Sequence, residues 1–482
     1  MKKWLFIVHR WIGICTCLLF AIWFLSGLVM VYVPFPQLEP AEELASLPMI
    51  AYDQVRIQPD VAVRNAGADS PRLLRLEMQG DQPVWRVQDW QGDEHVVSAS
   101  SGRTIKSIDG AEASRIASAF GDAAAMRVEA LARDQWTVPG RFNRHRPLWK
   151  VTLSGADERV LYVSSRTGAV VLDTHARERF WNWIGSVPHW IYPTVLRQEP
   201  VVWRQVVMWT SGICILGAVT GVWIGILRVR PGRRRFEDGR VTPYRGSMVW
   251  HHIAGLVGGV TLISWIFSGW LSVDPFRWFD SPGIEVADER AFSDADEPTA
   301  IDLSAVGALA GDSRRIELLW VAGAPLLLAY FPTRPRLVLN ANTLAPAFST
   351  RAEFLPAARR LMPGAQLVSV ETLTQPDAYW YGARDKPALP ILRLRFDDPA
   401  STWVHLDATS GQVLGTMDRH ARAYRWSFDL LHKWDTNFLT RQPVLRETLL
   451  WMLSALGLVT SFTGIWIGWK RLRIMKTNGS HR

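Results

Sequence analysis

The chain has 482 residues, of which 48 % are hydrophobic and 21 % charged, with a formal net charge of +9. That balance excludes a disordered or collagen-like chain, and the length leaves room for several domains. Four stretches, 11–33, 205–227, 246–273 and 448–469, contain no Asp, Glu, Lys or Arg; about 20 apolar helical residues cross a bilayer core of about 30 Å, so a purely soluble protein is excluded as well.

In chain order, residues 1–33 are expected to form a first transmembrane helix. Lys2 and Lys3 precede it as they would a signal peptide, but the apolar run exceeds the roughly 7–15 residues of a signal core and lacks a small-residue cleavage site, so it reads as a retained anchor. Residues 34–200 follow as an α+β region, with alternating strands closed by a turn at 149–163, a strand end at 98–105 and an amphipathic helix near 111–120. A second transmembrane helix occupies 201–229 and a short loop 230–245. The third helix is expected at 246–273. A second α+β region covers 274–444, with strands at 391–406, a strand end at 339–346 and a helix near 352–361. The fourth transmembrane helix is 445–470, and 471–482 is a tail.

Charge orients these elements. Lys2, Lys3, the seven Arg of 228–245 and the five basic residues of 470–482 face only Glu237 and Asp238, giving this side +12 against −3 for the rest. The positive-inside rule therefore places both termini and the 230–245 loop in the cytoplasm, and both α+β regions in the periplasm of a bacterial-type inner membrane. The basic excess is a topology signal and implies no nucleic-acid partner. Cys15, Cys17 and Cys214 all fall within spans, which leaves no disulfide framework outside, and there is no Cys-x-x-Cys pair or phosphate-binding loop.

The chain also reads as a duplication. His9-Arg10-Trp11-Ile12-Gly13 matches His251-His252-Ile253-Ala254-Gly255, with Trp23 matching Trp265 and Ser26-Gly27 matching Ser268-Gly269 without a gap. Thr220-Gly221-Val222-Trp223-Ile224-Gly225 matches Thr463-Gly464-Ile465-Trp466-Ile467-Gly468, 31 residues after His189 and His432 respectively. Upstream, His175-Ala176-Arg177 parallels His420-Ala421-Arg422. The expected fold is thus an α-helical membrane protein of four transmembrane helices in two repeated pairs, each pair enclosing an α+β domain.

Four of the eleven His occupy equivalent places in the repeat. His9 and His251 open spans at the cytoplasmic side, whereas His189 and His432 precede spans at the outer side. Neutral imidazole is a strong iron ligand, and haem held between facing helices takes one His from each side, so two layers of two His point to two haems stacked across the membrane. The bland alternative, His snorkelling at an interface, suits one such residue better than four in matched layers. His252 points about 100° away from His251 on a helix and is a secondary candidate, as are His175 and His420. His95, His145, His405 and His481 have no partner in the repeat and read as solvated. Gly27, Gly221, Gly269 and Gly464 make room either for porphyrin or for close helix packing.

The His9-x-x-x-Gly13 opening, the repeated Thr-Gly-x-Trp-Ile-Gly helix ends and the Ser/Thr-Gly-x-Val turns resemble the PepSY-associated transmembrane family along essentially the whole chain. The resemblance implies PepSY-like periplasmic domains and, in members tied to iron uptake, di-haem reduction of ferric siderophores. It assigns His9 and His251 to a cytoplasmic-side haem b and His189 and His432 to a periplasmic-side haem b. With only a short loop and tails in the cytoplasm, there is no room for a flavin or nicotinamide domain, so electrons are expected from quinol or a separate donor. Residues 136–150 and Tyr379-Trp380-Tyr381 are candidate docking surfaces for an anionic, partly aromatic ferric chelate. Two other classes compete with this reading: a membrane-anchored regulator of a peptidase, and a permease for iron complexes. A permease would more usually carry ionisable residues at mid-membrane.

Overall fold

The computed structural model describes residues 2–479 apart from 69, 233, 234, 237, 297, 299, 348–352 and 383–386. His481 and the start of the helix expected near 352 lie outside the described residues. The helices used below are α1 (Lys2–Tyr32), α2 (Gly110–Gly121), α3 (Ala176–Ile184), α4 (Ser186–His189), α5 (Pro200–Arg228), α6 (Ser247–Val257), α7 (Gly259–Leu271), α8 (Arg419–Tyr424) and α9 (Pro443–Gly479). A π-helix, Arg425–Lys433, continues α8.

Helices α1, α5 and α9 are each long and apolar enough to cross a membrane. Helices α6 and α7 pass the same test only together, because the chain bends by 62° between them. The helix expected over 246–273 is therefore an elbow of two helices. Its cause is local: Gly258-Gly259 stands where α1 has Thr16-Cys17, and paired glycines are a common seat of sharp kinks. The elbow also needs those glycines for space. A Cβ on Gly259 would come within 2.4 Å of Val222 on α5, and one on Gly258 within 3.2 Å of Leu456 on α9. Inside the bundle, Phe20, Phe24, Cys214, Ala218 and Ile266 form the core. Outward, Leu18, Trp209, Leu216, Trp223, Met452 and Phe462 are exposed, as side chains facing lipid must be.

The strands are β1 (Leu73–Gln79), β2 (Gln82–Gln88), β3 (Glu94–Ser98), β4 (Thr104–Ile105), β5 (Ala125–Leu131), β6 (Leu148–Leu153), β7 (Val160–Ser164), β8 (Val170–Thr174), β9 (Arg315–Val321), β10 (Ala324–Tyr330), β11 (Leu337–Asn340), β12 (Leu367–Leu373), β13 (Ile391–Phe396), β14 (Trp403–Asp407) and β15 (Val413–Met417). Each α+β region contributes one four-stranded antiparallel sheet, β5-β6-β7-β8 and β12-β13-β14-β15, and α2 covers the first with Ile116, Ala117 and Phe120. The remaining strands do not stay in separate domains. They form one seven-stranded sheet, β11-β10-β9-β1-β2-β3-β4, in which β1 of the first region pairs antiparallel with β9 of the second.

At that seam Arg75 lies opposite Glu317, and the two form an ion pair at 3.1 Å. Glu77 next to them is buried between Arg86 (2.6 Å) and Arg315 (2.8 Å). Burial alone would raise the Glu77 carboxyl, but Arg315, Arg86 and Arg75 together hold it down at about 2.

Candidate functional site: two facing histidine pairs

The structure brings the four repeat-related His together as two pairs. His9 on α1 faces His251 on α6 with ring centroids 6.4 Å apart. His189 on α4 faces His432 on the π-helix at 6.1 Å. Metal–imidazole bonds of about 2 Å, with each ring centre roughly 1 Å behind its nitrogen, put two imidazoles on opposite sides of one metal roughly 6 Å apart.

The far nitrogen of every ring is held by the protein. His9 Nδ1 donates to the Gly217 carbonyl (3.1 Å) and His251 Nδ1 to the Thr460 carbonyl (2.9 Å), each with a threonine hydroxyl, Thr220 or Thr463, close by. His189 Nδ1 meets Ser26 Oγ and His432 Nδ1 meets Ser268 Oγ, both at 3.0 Å. Ser26 and Ser268 spend their own protons on carbonyls one turn back, so both hydroxyls accept from the imidazole. An Nδ1–H donor leaves the lone pair of a neutral imidazole on Nε2, and Nε2 of none of these four rings has a hydrogen-bond partner among the described residues. Metal-ligating His are oriented in this way, by a hydrogen bond at the other ring nitrogen.

Backbone geometry sets the outer pair. The residues two beyond each outer His, Ile191 and Trp434, are left-handed with φ of 50° and 53°. Carbonyls freed there are capped from the next span. Trp203 Nε1 bonds the Trp190 and Ile191 carbonyls, each at 3.1 Å, and Arg446 Nε bonds those of Lys433 (3.1 Å) and Trp434 (3.2 Å).

The glycines left open between two roles turn out to seat imidazole rings. A Cβ on Gly221 would lie 2.7 Å from His9 Cε1, on Gly464 3.2 Å from His251 Cε1, on Gly27 3.2 Å from His189 Cε1 and on Gly269 3.4 Å from His432 Cε1. Two buried indole nitrogens, Trp23 Nε1 and Trp265 Nε1, have no hydrogen-bond partner among the described residues and are related by the repeat. Facing imidazoles, fixed tautomers and glycine cradles at both pairs, with orphaned indole donors near the outer one, fit a planar metal cofactor.

The secondary candidates sit elsewhere. His252 is buried with both nitrogens engaged, Nδ1 by the Thr242 hydroxyl (2.8 Å) and Nε2 by the Gly225 carbonyl (3.0 Å), so it ties the 230–245 loop to α5. His420 bonds the Trp278 carbonyl (3.1 Å). His175 precedes α3, near Asp173 and Glu42, whose ligand atoms approach its own within 4.8 Å. Arg159 already occupies that group through Asp173 (3.0 Å), which argues against a cation there.

His405, read as solvated, is instead 1 % exposed. It accepts from Arg393 Nε at 2.9 Å and stacks on Trp380 at 4.6 Å. Burial and then Arg393 push it down to about 4, so it is a neutral core acceptor. Its partner lies across a strand pair, a relation that repeat matching does not reveal. His145 is half-buried and likewise pushed down to about 4, by burial and by Arg144.

No curated protein matches this chain. The family model of the PepSY-associated TM region matches residues 6–302, a stretch that contains His9, His189 and His251 and exceeds half of the chain, and the protein belongs to that membrane family.

Proposed function

We propose that the protein is a transmembrane electron carrier holding two b-type haems, one between His9 and His251 and the other between His189 and His432, and that it reduces a ferric chelate such as a ferric siderophore. In this reading α6 and α7 count as one bent span and complete four spans in two repeated pairs. The basic ends and the 230–245 loop are cytoplasmic, the sheets are periplasmic, and the membrane is the bacterial inner membrane. What supports it is the pairing itself: four His scattered over 423 positions meet in two couples at 6.4 and 6.1 Å, each ring braced from behind.

Haem bound at each pair supplies one-electron redox chemistry. The chain's own part is to hold the imidazoles, fix their tautomers and keep water from the space between the layers with Phe20, Phe24 and Ile266. A membrane quinol or a separate donor provides the electrons. Reduction loosens a chelate built of hard oxygen ligands, which favour the more highly charged ion.

Purified protein, made with haem available, should carry about two low-spin b-type haems per chain by pyridine haemochromogen assay. His251→Ala should remove one and leave the other. A haem-free wild-type protein would falsify the reading.

A further inference from the structure

Beside the outer His pair, between the end of α7 and the sheet β12–β15, lies an open cavity of about 560 Å³ whose walls include Phe279, Tyr379, Tyr381, Met417 and Tyr424. A column of rings joins it to the pair. Phe428 stacks on His432 with centroids 5.3 Å apart and planes 24° from parallel; Tyr424 packs on Phe428 at 5.1 Å, and Phe279 meets Tyr424 edge-on at 5.2 Å. Residues 424, 428 and 432 are four apart, so the α8–π-helix junction presents all three on one face.

Among the described residues the first half has no such column on His189. Counting back equally from His189, the place of Phe428 is taken by Gly185, where a Cβ would meet Val29 at 2.9 Å. Among the described residues His189 has a ring contact with His432 alone, whereas His432 also stacks on Phe428.

The charged groups on the cavity are Asp274, Asp429 and Arg425. Arg425 is committed to Asp435 (2.8 Å) and to the Ala378 carbonyl (2.9 Å). Asp429 pairs with Lys433 (2.6 Å), and Asp274 accepts from the Phe279 amide (2.9 Å). Burial together with Asp429 and Asp274 pushes the Tyr424 hydroxyl up to about 12, so both carboxylates are felt at the wall. Aromatic faces beside two carboxylates, with no uncommitted cation among the described lining residues, suit a neutral or positively charged chelate with an apolar rim.

We propose that this cavity is where the ferric chelate docks for reduction, and that Phe428 and Tyr424 form the ring edge through which the electron reaches it. The inference rests on the proposed function. One electron converts chelated Fe(III) to Fe(II), with no bond made to the protein. A quinol that becomes a quinone releases two electrons and two protons, so one quinol serves two chelates.

The test uses the full-length, haem-loaded protein and a neutral cyclic trihydroxamate as its gallium(III) and iron(III) complexes. By calorimetry the redox-inert gallium complex should bind the wild type, and Met417→Trp, which fills the cavity, should weaken binding about tenfold or more. Phe428→Leu should leave that affinity unchanged while slowing, about tenfold at saturating iron complex, the reoxidation of dithionite-reduced protein followed in the haem bands. If Phe428→Leu disturbs the outer haem spectrum, Tyr424→Leu, one ring further out, carries the same kinetic comparison. No gallium binding to the wild type, equal binding to Met417→Trp, or wild-type reoxidation in the ring variant with an intact spectrum overturns the docking site. Absence of haem from the wild type strikes the proposed function instead, and gallium binding still reports on the cavity.

Discussion

A pair of facing imidazoles is only as good as the space behind it, and here that space is glycine. At Gly221 an added methyl would stand 2.7 Å from His9 Cε1, which forces the ring or α5 to shift; at Gly269 the corresponding distance of 3.4 Å is ordinary contact. Gly221→Ala should therefore lower haem content from about two to about one per chain, while Gly269→Ala should leave it near two, read from reduced-minus-oxidised spectra. His252→Ala should keep both, because neither of its nitrogens faces the pair. If Gly221→Ala retains both haems, the cradle has been misjudged. Repeat matching alone picks out His9, His189, His251 and His432 from the sequence. What the glycines do was not legible, because porphyrin room and ring room leave the same sequence trace and only the position of a Cβ separates them. His405 was misread for a related reason: burial on β14 depends on which face of a sheet is covered.

At the scale of elements, the elbow and the seven-stranded sheet depart furthest from expectation. Gly258-Gly259 is visible in the sequence, yet a glycine pair in a span signals close packing as readily as a bend, and here it provides both. The hairpins at 149–163 and 391–406 form as their alternation predicts. The β1–β9 pairing was beyond reach, since it joins residues more than 230 positions apart and either strand would satisfy its own neighbours equally well.

Glu77 makes this seam testable. Glu77→Gln leaves Arg86 and Arg315 without their shared buried carboxylate and should destabilise the sheet region by about 3 kcal/mol, measured by thermal unfolding of the full chain. The carboxyl is held at about 2 against an ordinary 4.5. Its contribution is therefore complete above pH 4.5 and is lost as pH falls toward 2, so the difference between wild type and variant should shrink across that window. An unchanged melting temperature at pH 7 would sink the argument.

For the whole molecule, the decisive fact is that each His pair takes one member from each half of the chain. Neither half holds a complete site. A chain cut in the 230–245 loop and produced as two fragments should show no low-spin bis-His spectrum from either fragment alone, and should regain it when the two are made together. A fragment that carries the spectrum alone would contradict the pairing of His9 with His251 and of His189 with His432. The duplication foretold which residues correspond and grouped His9 with His251 and His189 with His432, but not which helices carry the contact, because a repeat in sequence is silent about how its copies pack.

The ion pair at the seam of the large sheet carries this further. Arg75 and Glu317 are 242 positions apart, the same interval that separates His9 from His251, so the strands β1 and β9 cross at a point where each meets its own counterpart. A homodimer with a two-fold axis through that point is obliged to set identical residues against each other, and an arginine there would oppose an arginine. Two halves that differ in sequence, as in this fused chain, can place opposite charges on such an axis. The same asymmetry disfavours pairing of like halves: first half against first half brings two guanidinium groups together, second half against second half two carboxylates, and the favoured match is a first half with a second half.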